Sequence, residues 1–261
     1  MEKITVFLAD WQVLFREGIH FTLSGEEDME VIGEDVDNEQ ALTFIETNPP
    51  QVAILNATHD KLNGFEATRQ IKQTLPEVSI ILVMDNHNEV QLFDALKSGA
   101  SACLTKDVDP DIVVNKIREV VQDKQPISEV IWKPEIASRV LDEFTAFASL
   151  GEQVGKLLTH LTPREAEILH QIADGNSREQ LASTLSISDE VMDKRLQSVH
   201  YKLVVNDQKL MLIEAAQSVL PAISRVSFTG KPGTEYITKE EFAAFKESLK
   251  ERFKFLSGDI S

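Results

Sequence analysis

Residues 161–203 carry the most restrictive pattern in this chain, three short amphipathic segments separated by helix-start and helix-stop signals within about forty residues. Thr162 and Glu165 have the spacing of a capping box, and Gly175 ends the first helix. Ser177 begins a second short helix, and a third follows it after a turn. The inward apolar positions repeat at helical spacing: Ile168, Leu169, Ile172, Leu181, Ala182, Leu185, Met192, Leu196, Val199 and Leu203. This layout predicts a helix-turn-helix unit whose third helix enters a nucleic-acid groove.

Three sequence motifs in this unit carry a resemblance to a known family. They are LTPRE at 161–165, DGNSREQLA at 174–182 and ISDEVMDKRL at 187–196. Together they resemble the LuxR-type DNA-binding domain that closes response regulators of the NarL/FixJ family. The resemblance covers about sixty residues and is specific, because cap, small and apolar positions match in consecutive helices. The resemblance implies a DNA-binding domain over residues 159–220.

Length and composition set limits on the rest of the chain. The 261 residues give room for two compact domains, and no apolar run approaches the roughly 18 residues that a membrane crossing needs. The N-terminus lacks the basic region and cleavage site of a signal peptide, and the single cysteine, Cys103, has no partner for an internal disulfide. We therefore expect a cytoplasmic protein without a membrane partner, in which Cys103 is a buried structural thiol.

The first half of the chain alternates short β-branched runs with amphipathic helical segments. The predicted strands are 4–8, 29–33, 52–55, 80–84 and 102–105, with four helices between them and a fifth after the last. This order predicts an α/β doubly wound, five-stranded parallel sheet, followed by the all-α helix-turn-helix domain. Chemistry in such sheets gathers at the carboxyl ends of the strands. The residues at that rim are Asp10, Trp11, Asn56, Met84 and Lys106.

The same segment resembles a receiver domain, the phosphoacceptor half of a response regulator, and we place it at residues 1–125. The supporting motifs are FLAD…LFREG at 7–18, NGFEATRQI at 63–71 and ALKSGASACLTKD at 95–107. In the family the rim holds an acidic pair, an aspartate nucleophile, a Ser or Thr, and a lysine. The resemblance assigns Asp10 to the first acid and Lys106 to the lysine. The other three positions depart from the family: Trp11 replaces the second acid, Asn56 the nucleophile and Met84 the hydroxyl residue.

These replacements predict a degenerate phosphoacceptor pocket. Phosphoryl transfer needs a nucleophilic oxygen and a Mg²⁺ ion held by carboxylates, whereas the amide of Asn56 is uncharged and a thioether cannot bond a phosphoryl group. We expect no metal, no cofactor and no enzyme activity, with an ion pair between Asp10 and Lys106 left in the pocket. Asn56 then satisfies backbone groups at the strand end. Trp11 is interpreted as a plug for the empty metal site, with a ligand-stacking platform as the alternative.

The linker, residues 126–158, contains a predicted helix at 135–147. Its apolar side carries Ile136, Val140, Leu141, Phe144 and Phe147. This face is wide for a solvated spacer, so we expect it to dock on a domain or a second subunit; packing within one chain is an equal alternative.

The third helix of the helix-turn-helix unit supplies the candidate DNA contacts. Helical spacing turns Asp193, Lys194 and Gln197 toward base edges. Spacing and the resemblance place a second group at phosphates or at the edge of the core: Arg195, Ser198, Tyr201 and Lys202. Residues 161–217 hold only 6 Lys and Arg against 9 Asp and Glu, and Asp193 stands where the family commonly has lysine. We therefore expect weak or strongly salt-dependent DNA binding.

A separate helix at 207–220 is predicted to complete this domain, and in the family such a helix often supplies the dimer contact. Its candidate dimerisation residues are Leu210, Ile213, Ala216 and Leu220. A homodimer would bind two half-sites on double-stranded DNA. Residues 221–261 form an extension beyond the family pattern, predicted as a small hairpin followed by an amphipathic helix.

The sequence thus predicts a DNA-binding transcription regulator of response-regulator type that acts independently of aspartyl phosphorylation. Its input would then come from regulated abundance, a protein partner on the receiver-like domain, or a small molecule at the rim. The alternative is an interaction or sequestration protein that does not bind DNA and dimerises through its acidic helix-turn-helix module.

Overall fold

The computed structural model describes residues 3–58, 61–86, 88–122, 124–149, 152–155 and 157–224. Its first half alternates strands and helices, and its second half is helical. The elements are β1 (Ile4–Ala9), α1 (Val13–Ser24), β2 (Met29–Asp35), α2 (Asn38–Thr47), β3 (Val52–Asn56), α3 (Gly64–Thr74), β4 (Ser79–Met84), α4 (Glu89–Ser98), β5 (Ala102–Thr105), α5 (Pro110–Val121), a 3-10 helix (Pro126–Trp132), α6 (Pro134–Ser149), α7 (Glu152–Gly155), α8 (Pro163–Ala173), α9 (Arg178–Leu185) and α10 (Asp189–Ser224).

The five strands form one parallel sheet in the order β2-β1-β3-β4-β5. Alternate residues of β1 point to opposite faces, because side chains in a strand alternate. Val6 and Leu8 join the core beneath α1 and α5, whereas Phe7 and Ala9 join the core beneath α2, α3 and α4. The predicted doubly wound sheet followed by a helical domain is therefore confirmed.

Polar side chains define where most of the receiver helices begin. Asp37, Asn63, Asn88 and Asp109 each accept a hydrogen bond from a backbone N–H in the first turn of α2, α3, α4 and α5, respectively. Such caps satisfy donors that the helix itself leaves unpaired. Of these helices, α3, α4 and α5 begin after the strands that end next to Asn56, Met84 and Lys106.

Cys103 lies in β5, partly buried against the core. Burial raises the pKa of its thiol, so the thiol stays protonated at neutral pH. This environment agrees with the predicted structural role.

The linker contains more helical structure than the sequence predicted. The 3-10 helix was not predicted, and α6 extends the predicted helix at both ends. The apolar side of α6, including Ile136, Val140 and Phe144, is buried in the core that also contains residues of α4 and α8. The apolar side of α6 thus packs within the chain, against elements of both halves of the fold.

The first two helices of the helix-turn-helix unit are confirmed with their caps. Both capping boxes are present: Thr162 with Glu165 before α8, and Ser177 with Gln180 before α9. Ser186 then adopts a left-handed conformation (φ 52°) that ends α9 and turns the chain toward α10.

The prediction of two separate helices, one ending near Leu203 and one running from 207 to 220, is wrong. The structure has a single helix, α10, from Asp189 to Ser224. Neither glycine nor proline interrupts the helix before Pro221, so nothing in the backbone requires a break. The side chain of Asn206 does not cap a new helix, because its amide exchanges two hydrogen bonds with backbone groups of Thr159, at 2.8 and 2.9 Å.

The predicted hairpin and amphipathic helix of the extension lie at 225–261, outside the described residues. Among the described helices, none combines the length and the apolar character that a membrane crossing requires.

Candidate functional site

The predicted rim residues of three strands meet around one carboxylate. Asp10 follows β1, Asn56 ends β3 and Lys106 follows β5. Nδ2 of Asn56 donates to Oδ2 of Asp10 at 2.7 Å, and Nζ of Lys106 lies 3.0 Å from the same oxygen. The backbone N–H of Gln12 donates to Oδ1 at 2.7 Å. The expected Asp10–Lys106 ion pair is therefore confirmed, and both carboxylate oxygens already have partners.

The carboxamide of Asn56 is oriented by its surroundings. Its Oδ1 accepts the backbone N–H of Thr58 at 2.8 Å, which leaves Nδ2 as the group that faces Asp10. Its backbone carbonyl accepts a hydrogen bond from Nδ2 of Asn38 at 2.9 Å. A Cβ at Gly64 would lie 2.4 Å from that same carbonyl oxygen, so only glycine lets α3 begin against the end of β3. Asn56 therefore satisfies strand-end groups, as expected.

The remaining two rim residues do not approach Asp10 in the same way. Met84 is fully buried in the core beneath α2, α3 and α4. Trp11 is 51% exposed, and its ring centroid lies 5.3 Å from Nζ of Lys106, within range of a cation–π contact. Trp11 therefore covers the lysine from the outside and does not fill the pocket as a buried plug.

These residues do not fit the Mg²⁺ ion that a receiver domain uses. The ion needs several hard oxygen ligands. The carboxylate of Asp10 already contacts the ammonium of Lys106, the amide of Asn56 and the backbone N–H of Gln12. The next rim residue, Trp11, has an indole side chain and offers no oxygen ligand. Among the described residues, no group of three His, Cys, Asp or Glu side chains is arranged to hold a metal ion.

The candidate DNA-reading surface lies on the first half of α10. Lys194, Arg195, Gln197 and Tyr201 are exposed there. Lys194 pairs with Glu190 one turn earlier, at 2.7 Å. Such an exposed pair contributes little to stability, so phosphate competes for this lysine at small cost.

Asp193 is turned away from these cations. Its carboxylate pairs with Arg178 of α9 at 3.1 Å. The guanidinium of Arg178 in turn lies 4.5 Å from the centroid of Trp132, the last residue of the 3-10 helix. The arginine thus neutralises the carboxylate and joins α9, α10 and the linker.

The other two predicted contacts, Ser198 and Lys202, bind within the domain. Both side chains donate to the buried carboxylate of Glu165, at 2.7 and 2.6 Å. Burial alone would raise the pKa of Glu165, but the hydrogen bonds from Lys202, Thr162 and Ser198 outweigh it and the pKa is lowered. Ser198 and Lys202 therefore lie at the edge of the core, the second of the two roles predicted for them.

The second half of α10 packs on the receiver-like domain, which the sequence did not indicate. Nε2 of His200 donates to the carbonyl of Leu96 in α4 at 3.0 Å. Asp207 contacts Arg69 of α3 at 2.8 Å and Lys97 of α4 at 3.4 Å. We call this set the α10 contact. Polar residues at inward positions of an apolar helix were the available signal, but they do not identify their partners.

The predicted dimerisation residues belong to this helix. Leu210 is partly buried against the core, and Ile213 is half-buried. Ala216 and Leu220 lie further along α10. At Leu210 and Ile213, the predicted dimer surface is therefore partly covered by the chain itself.

Two family models match the chain. Residues 6–118 match the response regulator receiver domain, and residues 159–212 match the bacterial regulatory proteins of the luxR family. This protein combines a response-regulator receiver domain with a LuxR-type helix-turn-helix domain. Both matched segments coincide with the two halves of the fold described above.

Curated relatives match this chain along most of their length. The chain is 29% identical over 227 residues to the transcriptional regulatory protein DegU of Brevibacillus brevis, covering 83% of this chain and 94% of the relative. It is 28% identical over 214 residues to the response regulator protein VraR of Staphylococcus epidermidis, covering 82% and 97%. A solved structure of the RcsB response regulator of Salmonella typhimurium is 22% identical, with a TM-score of 0.44 over 78% of this chain and 93% of that one.

Proposed function

We propose that this response regulator is a cytoplasmic, DNA-binding transcription regulator whose receiver domain does not accept a phosphoryl group. One observation carries the proposal: the acceptor position holds a carboxamide whose N–H group donates to the neighbouring carboxylate of Asp10 at 2.7 Å. An aspartyl acceptor would place a second negative charge there, and the family uses a metal ion to offset that charge. Here the hydrogen bond from Asn56 and the ammonium of Lys106 offset the negative charge of Asp10.

DNA binding is supported by the exposed polar surface of α10. In the stretch that forms the first half of this helix, the exposed side chains include Lys194, Arg195, Gln197 and Tyr201. The acidic residue within this stretch, Asp193, is neutralised by Arg178. The second half of the same helix contacts the receiver domain, so we propose that a protein partner or ligand of that domain changes DNA binding through the α10 contact.

Intact mass spectrometry after incubation with acetyl phosphate and Mg²⁺ tests the first part. We expect no mass gain in the native protein. The variant Trp11→Asp/Asn56→Asp/Met84→Thr restores the three missing groups and serves as the matched control for the reaction conditions. A stoichiometric gain of one phosphoryl group on the native receiver domain would overturn the proposal.

Salt-titrated binding to genomic fragments tests the second part. We expect complexes whose affinity falls steeply with salt, since each phosphate contact releases counterions. Lys194→Ala and Arg195→Ala should each reduce the salt slope by about one, whereas Lys133→Ala, an exposed lysine in the linker, should leave it unchanged.

The rival function is a sequestration protein that dimerises through the helix-turn-helix module and does not bind DNA. The observation in its favour is the acidic balance of residues 161–217, with 6 Lys and Arg against 9 Asp and Glu. Absent or salt-insensitive DNA binding, together with a dimer that variants of Leu210 and Ile213 disrupt, would favour this function.

A further inference from the structure

The outer face of α1 carries exposed apolar side chains. Leu14 is 89% exposed, Phe21 is 83% exposed, and Trp11, just before the helix, is half-exposed. Leu14, Gly18 and Phe21 are spaced at i, i+4 and i+7, so they lie on one face of the helix. We call Trp11, Leu14, Gly18 and Phe21 the α1 stripe. Clusters of exposed apolar residues of this kind mark interaction sites, whereas single ones need no explanation.

Packing within the described residues does not explain the α1 stripe. Ile19 and Leu23 form the core-facing side of the helix and are buried. A Cβ at Gly18 would meet nothing within 4 Å, so no neighbouring group requires glycine there. Glycine weakens a helix relative to alanine, but here it leaves a gap between Leu14 and Phe21. The gap gives an incoming side chain a place between two apolar neighbours.

The α1 stripe has an acidic border. Glu17 lies in sequence between the two large apolar residues of the helix, is exposed, and has no ion-pair partner among the described residues. The nearby cations Arg16 and His20 both contact Glu34 instead. Residues 1–125 as a whole hold 10 Lys and Arg against 23 Asp and Glu. This face of α1 therefore suits an apolar occupant with a basic border.

The chain itself contains a segment of that composition. The sequence predicts an amphipathic helix in residues 239–256, which lie outside the described residues and beyond the luxR match that ends at residue 212. Lys246, Lys250 and Lys254 recur every four residues, so in a helix they form one row beside the apolar positions. The apolar positions themselves repeat at helical spacing: Phe242, Phe245, Leu249 and Phe253.

We propose that residues 239–256 dock on the α1 stripe of the same chain. The apolar positions of the segment would cover Leu14 and Phe21, with one side chain in the gap at Gly18. The lysine row would lie along the acidic border at Glu17. Docking thus pairs apolar surface with apolar surface and basic groups with an acidic one, and it removes exposed apolar area on both sides.

The connection from the described chain to this segment is long enough for docking. α10 ends at Ser224, and 17 residues separate it from Phe242. An extended chain of that length spans about 55 Å. A compact domain of 125 residues is about 35 Å across. The connection can therefore pass from the face of the sheet that α10 contacts, beneath α3 and α4, to the face that carries α1. Docking requires this connection to be open, so it replaces the hairpin predicted there.

The size of the α1 stripe favours a tethered occupant over a separate molecule. Its three large side chains expose roughly 450 Å², taking about 200 Å² for a fully exposed one. Two such surfaces would bury roughly 900 Å² in total, below the range of about 1,200–2,000 Å² for stable interfaces between separate proteins. A segment of the same chain needs less area, because a short linker supplies an effective concentration of about 1 mM.

Docking would affect both halves of the chain. It would close the α1 stripe to other proteins, and it would hold the lysine row against the receiver domain and away from the exposed residues of α10. This contact depends neither on DNA binding nor on the chemistry of the phosphoacceptor position.

Disulfide trapping in the full-length protein tests the inference. In a Cys103→Ser background, Gly18→Cys with Leu249→Cys should form an intramolecular disulfide under mild oxidation, detected by intact mass spectrometry as the loss of two hydrogens. Val90→Cys with Leu249→Cys is the matched control, because Val90 is half-exposed on α4, on the other face of the sheet. We expect the Gly18 pair to close at least tenfold faster. Circular dichroism melts establish that each variant is folded.

A charge exchange tests the acidic border. Glu17→Lys should slow trapping of the Gly18 pair at least twofold, and adding Lys246→Glu and Lys250→Glu should restore the rate. Glu46→Lys reverses an exposed carboxylate on α2 and should leave the rate unchanged. Equal rates in Glu17→Lys and Glu46→Lys would overturn the proposed docking.

Three results of the trapping experiment would also overturn the proposal. A Gly18 pair that closes no faster than the Val90 pair shows that the segment does not reach the α1 stripe. A covalent dimer that links Gly18→Cys of one copy to Leu249→Cys of another assigns the segment to a second chain. A covalent dimer of the Gly18→Cys single variant assigns the stripe to the same stripe of a second copy.

Discussion

Asp207 of α10 accepts a hydrogen bond of 2.8 Å from Nε of Arg69 in α3, across the contact between the DNA-binding domain and the receiver domain. Lys97 of α4 lies 3.4 Å from the other carboxylate oxygen and also contacts Glu143 of α6. All four side chains are largely withdrawn from solvent. One carboxylate therefore joins the receiver domain to the helix that carries the candidate DNA-reading residues.

Removing the charge of Asp207 should loosen the two domains. Asp207→Asn removes the negative charge that Arg69 and Lys97 share across the domains, at a cost of about 1–3 kcal/mol to the α10 contact. We expect a larger radius of gyration by small-angle X-ray scattering. Asp189→Asn removes an exposed carboxylate from the first turn of the same helix and is the control. Equal radii of gyration in both variants and the native protein would contradict this prediction.

The α10 contact should also weaken in acid because of His200. Burial lowers the pKa of His200 from 6.5 to about 4, and nearby Lys72 acts in the same direction. The closed form therefore binds fewer protons than an open form in which the imidazole is hydrated. Its stabilisation is complete above pH 6.5 and is lost progressively as the pH falls from 6.5 to 4.

Emission of Trp132, which lies against Arg178 at the domain junction, measures this effect in a Trp11→Phe background. We expect a transition between pH 6.5 and 4 that His200→Gln flattens. His170→Gln, at an exposed position of α8, should retain the transition. An unchanged profile in His200→Gln would assign the transition to carboxylates instead.

The sheet, the rim and the capped helices of this protein could be predicted because each depends on local signals. Strand and helix periodicities placed Asp10, Asn56 and Lys106 at one edge, and the parallel sheet brings them within hydrogen-bonding distance. The exposure of Trp11 could not be predicted, since a side chain at the end of a strand can turn inward or outward.

The continuous α10 could not be predicted for a different reason. Its course past Leu203 depends on tertiary contacts, in which Asn206 bonds to Thr159 and Val204 packs near Gly99. Neither contact has a signature in the local sequence. The sequence predicts a break between residues 203 and 207, where the structure has a continuous helix.

Gly99 and Gly175 form a matched pair for testing the importance of this packing. Both have a left-handed backbone, with φ of 87° and 82°. Alanine at either position should therefore cost about 1–2 kcal/mol in strain, measured by thermal melting. A Cβ at Gly99 would also lie 3.1 Å from Cγ1 of Val204, whereas one at Gly175 would meet nothing within 4 Å. Only Gly99→Ala should increase the radius of gyration, and an increase in Gly175→Ala alone would contradict this account.

Glu165 should be the largest single electrostatic contribution to the stability of the DNA-binding domain. Glu165→Gln leaves Lys202 partly buried without its partner, which should lower the free energy of unfolding by roughly 3 kcal/mol. Because the pKa of Glu165 is lowered from 4.5, its contribution is present above pH 4.5 and is lost as the pH falls through the lower folded value. Urea denaturation at pH 7 and pH 4 measures both effects.

Glu167→Gln, which breaks only an exposed pair with Arg164, should change the free energy of unfolding by less than about 0.5 kcal/mol. Equal losses in the two variants would show that the buried carboxylate has no special role.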